Sequence, residues 1–264
     1  MKGLRVVESG SGPAVLWVHG YTMDSTLWEP LWRLLPGWRH IGVDLPGHGG
    51  SEPLRPGTTL PALAARLAGL AAAEGAERVV GLSFGSCVAL QMALEAPETV
   101  RHLVLAAPTL GGAPPDPAAR RRYIELMTLR RAGGTGEQMT GLWMASPPDI
   151  FRGAAAHPEL LARLRTVIGG HSWAELDTGA MAALTAHRHP PEDLARIGAR
   201  TTVVIGDSDM PTFVDNARTL HRVVNKCRIW TIPNSGHLPL LEHPEMSVNA
   251  LFDGLALSER VDSV

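Results

Sequence analysis

The chain reads as an α/β protein, a mostly parallel sheet with helices on both faces and a helical insertion near its middle. Three observations carry that expectation. Strand-like and helical stretches alternate through the first hundred or so residues, as in a parallel sheet with crossover helices. The runs Ala14-Val15-Leu16-Trp17-Val18 and Leu103-Val104-Leu105 are continuously apolar rather than alternating, which suits strands buried on both faces. From about Gly112 to about His189 helix-like pieces follow one another with no convincing strand among them.

In chain order, strands are expected at Leu4 to Glu8, Ala14 to His19, His40 to Asp44, Arg78 to Leu82 and His102 to Ala106. Leu60 to Glu74 carries Ala and Leu at helical spacing, and Gly85 to Glu95 is a second helix that stops before Pro97. Pro114, Pro115 and Pro117 mark the exit into the helical segment, and Pro190 and Pro191 mark the return. Strand character resumes at Thr201 to Ile205 and Arg228 to Ile232, with a helix at Pro211 to Val224 between them and a last helix at Glu245 to Leu257. The expected organisation is a core of residues 1–111 and 190–264 interrupted by a helical cap at 112–189.

Composition narrows the function. With 24 Lys and Arg against 26 Asp and Glu, the formal charge is −2, and no basic cluster is dense enough to track a phosphate backbone, so nucleic acid is not an expected partner. The longest apolar stretch, Leu60 to Ala73, is broken by Pro61 and Arg66 and is shorter than the ~20 residues that span a bilayer. Met1 to Arg5 leads straight into a strand without a signal-like apolar run, so no membrane and a cytoplasmic location are expected. Cys87 and Cys227 are far apart and lack ligand spacing, which argues for buried thiols and against a disulfide or a zinc site. Oligomeric state is not legible.

The sharpest local signal is Gly81-Leu82-Ser83-Phe84-Gly85, where a strand gives way to a helix. A nucleophile elbow needs small residues two positions either side of its serine, because the backbone turns so tightly that a side chain there would collide with its neighbours. The turn lifts the Ser83 hydroxyl above the sheet edge, and the Phe84 N–H at the helix start points to where an oxyanion would form. Around it stand His19-Gly20-Tyr21-Thr22, Asp44-Leu45-Pro46-Gly47-His48-Gly49-Gly50-Ser51, Gly206-Asp207-Ser208-Asp209 and Ser235-Gly236-His237, each after a strand.

With these five motifs in this order, the sequence resembles the α/β-hydrolase fold family, specifically the small capped serine hydrolases that include enol-lactone hydrolases and carboxylesterases. The resemblance covers most of the chain and is weakest in the helical segment. It implies an eight-stranded sheet, a cofactor-free and metal-free reaction, Ser83 as nucleophile, His237 as general base, Asp209 as the acid that orients it, and the Tyr21 backbone N–H as the second oxyanion donor. A serine hydroxyl is a poor nucleophile at neutral pH until a base takes its proton, and the base needs a carboxylate to fix its tautomer. Asp209 rather than Asp207 matches the family's loop, although Pro211 comes two residues after the acid where many relatives place it four after. Relatives that open halides or epoxides carry Asp at the elbow, so Ser83 excludes that chemistry. The implied reaction is hydrolysis of an ester or lactone of a small substrate. The same triad could also cleave carbon–carbon bonds or serve an acyltransferase or cyclase, and a ligand-sensing module on this fold is the rival from another class.

Other residues read more plainly. His19 is expected to brace the oxyanion loop, His48 to bond within a glycine-rich turn, and Cys87 to pack. His171, His187 and His189 are expected at the surface, and Arg120-Arg121-Arg122 on a solvated helix face. The helical segment carries Met127, Met139, Trp143, Met144, Phe151, Trp173 and Met181. Of these Trp143, Met144, Met127 and Trp173 are the candidates for an apolar substrate pocket.

Overall fold

The computed structural model describes residues 3–255. Strands β1 (Val6–Ser9) and β2 (Ala14–Val18) lead to α1 (Glu29–Arg33), β3 (Arg39–Val43), α2 (Leu60–Ala73), β4 (Arg78–Leu82), α3 (Phe84–Glu95) and β5 (His102–Ala106). Next come α4 (Pro117–Arg131), α5 (Gly136–Met144), 3-10 turns at Asp149–Phe151 and Gly153–Ala156, α6 (Pro158–Gly169), α7 (Ala174–Thr178) and α8 (Met181–Thr185). The chain closes with α9 (Pro191–Leu194), β6 (Arg200–Gly206), α10 (Pro211–Val223), β7 (Cys227–Ile232), α11 (Pro239–Glu242) and α12 (Pro244–Leu255). The last helix was expected to reach Leu257, and the residues after Leu255, like Met1 and Lys2, lie outside the described residues.

The strands form one sheet in the order β1-β3-β2-β4-β5-β6-β7, parallel except for β1, which runs antiparallel to β3. Seven strands are found among the described residues where eight were expected. The described residues ahead of Val6 cannot add another: Gly3 accepts from the Glu52 N–H and Arg5 from the Asp44 N–H, so this stretch is tied to the Asp44–Ser51 turn. From β2 the chain goes to β3 on one side and then to β4 on the other. The C-terminal ends of β2 and β4 therefore flank the point where strand order reverses, the usual crevice for a ligand in an open α/β sheet.

Side-chain alternation builds two cores. Leu16, Val18, Val79, Leu103 and Val203 face α2, α3 and α10 on one side. Val15, Trp17, Val80, Val104 and Val204 face α1, α12 and much of the helical segment on the other. The helices start where local chemistry says they should. Thr59 caps α2 through the Ala62 N–H, Asp116 caps α4 through the Ala119 N–H, and Thr135 with Gln138 forms a capping box on α5.

Between β5 and β6 the chain forms helices and no strand. It leaves and returns at one place, because the His189 N–H donates to Gly111 O at 2.8 Å and the Gly111 N–H to His189 Nδ1 at 3.0 Å. His189 is buried rather than at the surface, and burial pushes its imidazole down to about 4. His171 is buried as well. Arg122 also departs from expectation: it turns inward and donates to the carbonyls of Leu142, Ala145 and Pro147, closing the C-terminus of α5, because four orphan carbonyls at a helix end attract a buried guanidinium.

Candidate active site

Ser83 follows β4 directly and sits at φ 53, ψ −118, a conformation that non-glycine residues adopt only where the surroundings enforce it. The enforcement is steric. A Cβ on Gly81 would come within 2.4 Å of Gly85 O, and one on Gly85 within 2.3 Å of Val18 O. Only glycine allows α3 to start this close to β2 and β4, and Ser83 stands half-buried at its N-terminus.

Two loops beyond Ser83 are fastened to each other. Gly206 ends β6 so close to the next loop that a Cβ would lie 2.2 Å from Gly236 O. The Asp207 N–H donates to Ile232 O at 3.1 Å and the Ser208 N–H to Ser235 O at 2.9 Å. This brings together residues 154 and 28 positions apart: His237 Nε2 lies 2.9 Å from Ser83 Oγ, and His237 Nδ1 lies 2.9 and 3.2 Å from the two Asp209 oxygens. With Nδ1–H donating to the carboxylate, Nε2 is left as the acceptor for the serine proton. The Asp209 carboxyl also accepts from the Met210 N–H at 2.7 Å, and both His237 and Asp209 are buried. The Phe213 ring, at the start of α10, stands 4.1 Å from the His237 ring.

Asp207 is placed differently. It is solvent-facing, and its carboxylate accepts from the Asn234 N–H at 3.0 Å, a bond that holds its carboxyl below the usual range. It braces the histidine loop from outside and does not reach His237.

The Tyr21 and Phe84 backbone N–H groups have no hydrogen-bond partner among the described residues. Gly20 brings its turn against the elbow, since a Cβ built on it would lie 3.5 Å from Ser83 Cβ. His19 holds this turn: its Nδ1–H donates to Gly20 O at 2.8 Å, and its Nε2 accepts from the Leu45 N–H at 2.9 Å. Burial lowers its pKa, which keeps the ring neutral for both bonds. Asp44 organises the turn that follows β3 by accepting from Ser25, Gly50 and Arg5, and a Cβ on Gly49 would strike its Oδ2 at 2.1 Å. His48 Nδ1 donates within the same turn to Pro46 O. Cys87 is buried, and burial raises its thiol to about 12, so it packs as an inert group.

The apolar candidates divide. Trp143 and Trp173 are buried beside the Tyr21 ring, at 5.5 and 6.5 Å, and Trp143 Nε1–H donates to Thr22 Oγ1 at 2.8 Å. Met127 and Met144 stay half-buried against the same core. No group of three His, Cys, Asp or Glu side chains stands ready to hold a metal among the described residues, and no described helix is long and apolar enough to cross a membrane.

One residue escaped sequence reasoning altogether. Glu242, in α11, is buried and binds the histidine loop on both sides of His237. Its Oε2 accepts from the Gly236 N–H at 2.6 Å and the Ser235 hydroxyl at 2.9 Å, and its Oε1 accepts from the Leu238 N–H at 3.1 Å. The one signal in the chain was an acidic residue closing the apolar run Leu238-Pro239-Leu240-Leu241.

Comparison with known proteins agrees with this architecture. A pimeloyl-[acyl-carrier protein] methyl ester esterase of Nitrosomonas europaea is 27% identical, covering 97% of this chain and 100% of that protein. Esterase Rv0045c of Mycobacterium tuberculosis is 30% identical, with coverages of 89% and 80%. Among solved structures, a thermophilic esterase from Thermogutta terrifontis superposes with a TM-score of 0.77 at 28% identity, covering 95% of this chain and 92% of that one. A model of the alpha/beta hydrolase family matches residues 15–250, and the chain belongs to that family.

Proposed function

We propose that the protein is a serine esterase that hydrolyses a carboxylic ester or lactone of a small, largely apolar substrate. The observation that carries this reading is the continuous hydrogen-bonded chain from buried Asp209 through His237 to the Ser83 hydroxyl at the tip of a strained turn. Asp209 holds His237 with Nδ1 protonated, so Nε2 takes the serine proton as Ser83 Oγ attacks the ester carbonyl. The negative charge that develops on the carbonyl oxygen meets the unpartnered N–H groups of Tyr21 and Phe84 at the positive end of α3. His237 returns its proton to the departing alcohol. It then deprotonates water, which releases the acid from the acyl-enzyme.

Residues 112–189 act in this reading as a cap whose Trp143, Trp173, Met127 and Met144 supply the apolar wall beside Tyr21. The esterase names of the relatives support the choice of ester over other acyl chemistry.

The test is labelling with a fluorophosphonate followed by mapping of the modified peptide, with turnover of p-nitrophenyl acetate measured beside it. Label is expected on Ser83, and Ser83→Ala is expected to lose turnover by about 10⁴ to 10⁶ while keeping its fold. A Ser83→Ala protein with a tenth of the parental rate refutes the mechanism.

A further inference from the structure

Behind the Gly20–Tyr21 turn lies a group of buried polar side chains that the serine chemistry does not use. Glu175, on α7, is 3% exposed. Its Oε1 accepts from the Tyr21 hydroxyl at 2.5 Å and lies 3.1 Å from His171 Nε2, whereas its Oε2 is buried with no partner among the described residues. Burial by itself favours the neutral acid, but the bonds from His171 and Tyr21 outweigh it and hold the carboxyl below its usual range, so Glu175 is an anion at neutral pH. An anionic oxygen left without a donor in a protein interior is costly and rare. Arg130, the guanidinium that senses this charge, is already committed to both oxygens of Asp177 at 2.7 to 3.1 Å.

The position of this oxygen gives it a use. Tyr21 directly follows Gly20, which lies against Ser83. Tyr123, on α4, is half-buried, and its hydroxyl has no hydrogen-bond partner among the described residues; burial and the Glu175 charge both raise its pKa. Tyr21, Tyr123 and Phe213 each pack against both hydrophobic cores, and the Phe213 ring stands 4.1 Å from the His237 ring. A substrate chain running from a carbonyl at Ser83 along the Tyr21 ring would meet aromatic walls first. One tyrosine side chain further on stands Glu175, bonded to the Tyr21 hydroxyl, with Tyr123 near enough to sense its charge.

We propose that Glu175 is a specificity-determining residue whose free oxygen, held in place by Tyr21 and His171, accepts a hydrogen bond from a donor on the substrate. The enzyme then takes esters whose chain carries a hydroxyl, an amide N–H or an ammonium group, and it discriminates against chains that end in a carboxylate. This rests on the esterase reading of Ser83. A Glu–His pair that served packing alone would be indifferent to the far end of the substrate.

The test compares kcat/KM for the p-nitrophenyl esters of heptanoate, 6-hydroxyhexanoate, 6-aminohexanoate and pimelate, chains of matched length that differ only at the end. The hydroxyl- and ammonium-ended esters are expected to exceed the carboxylate-ended one by at least about tenfold, the scale of one charge-assisted hydrogen bond. Glu175→Gln is expected to bring the ammonium-to-carboxylate ratio to within about threefold. Glu175→Ala, which removes the carboxylate without leaving an amide to pair with the substrate, is measured beside it in case the glutamine variant folds poorly, and is expected to bring the same ratio to within about threefold. Equal rates for the ammonium and carboxylate esters in the parent overturn the proposal, as does an unchanged ratio in the folded variants. Calorimetric titration with hexylammonium and hexanoate separates the two claims. If no ester is turned over yet hexylammonium binds in preference, the esterase reading alone fails; if the two ions bind equally, this one does.

Discussion

Glu242→Gln tests how the histidine loop is held. The carboxyl of Glu242 takes three hydrogen bonds, from the N–H groups of Gly236 and Leu238 and from the Ser235 hydroxyl. A glutamine has one acceptor oxygen and one donor NH2. Turned either way, it presents that NH2 to one of the two backbone N–H groups and leaves it unpaired, while the Ser235 hydroxyl can rotate to compensate. Rotation of the loop away from the amide is opposed by Gly153, which lies so close that a Cβ on it would meet Glu242 Oε2 at 2.2 Å. An unpaired buried N–H costs about 1–3 kcal/mol, and losing the charge on the remaining bonds costs about 1–2 kcal/mol more, for a total of about 2–5 kcal/mol. For a chain of this size that lowers Tm by about 5–15 °C. Because His237 sits between the two affected N–H groups, its Nε2 shifts relative to Ser83, and kcat is expected to fall by roughly 10- to 100-fold with KM little changed. Thermal melts give the first number. Hydrolysis of p-nitrophenyl acetate well below Tm, on protein with a native near-UV spectrum, gives the second, and the rate of fluorophosphonate labelling should fall in step. A variant whose Tm stays within about 2 °C of the parent, equivalent to less than about 1 kcal/mol, and whose kcat stays within about twofold refutes the reasoning.

The two loop carboxylates should separate cleanly: Asp209→Asn is expected to lower kcat by roughly 10⁴ by leaving His237 in the wrong tautomer, and Asp207→Asn to reduce mainly Tm. The opposite ranking, measured on equally folded proteins, moves the acid to Asp207. Acid stability should report His189. The unfolded chain takes its proton near ~6.5, whereas the folded imidazole refuses it until about 4, so stability present at neutral pH is lost as pH falls through that window, by up to about 3 kcal/mol. His189→Gln, which keeps an acceptor for Gly111 and a donor for Gln91, is expected to flatten urea-unfolding free energy between those limits. The same slope in both proteins contradicts the assignment.

The elbow was legible because its constraint is local: Gly81 and Gly85 answer collisions that arise within five residues and the strand beside them. The same holds for the Asp44 turn, where Gly47 and Gly49 take φ values of 82 and 51, and for the helix start at Leu60. The strand count was not legible in this way. Val6–Ser9 looks the same in sequence whether it is the first or second strand of a sheet, and only its pairing with β3 decides.

Histidines and charged residues were the least readable. Sequence put His171 and His189 at the surface, yet each is enclosed, His189 by Gln91 98 positions away and His171 by Glu175 on a neighbouring helix. Arg122 looks like Arg120 and Arg121 until α5 ends beside it. The sequence by itself determined the α/β alternation and the sharp serine turn, since those follow from backbone sterics and hydrophobic periodicity that act over a few residues, whereas the chain order of Ser83, Asp209 and His237 was read from resemblance to a family. Tertiary structure alone decided that Asp207 turns outward to the Asn234 N–H, that Glu242 grips the loop around His237, and that Glu175 stands over Tyr21 with an oxygen to spare. Each of these depends on which distant backbone or side chain the topology brings within about three ångströms, and hydrogen bonds, unlike apolar burial, are lost over a displacement of less than about one.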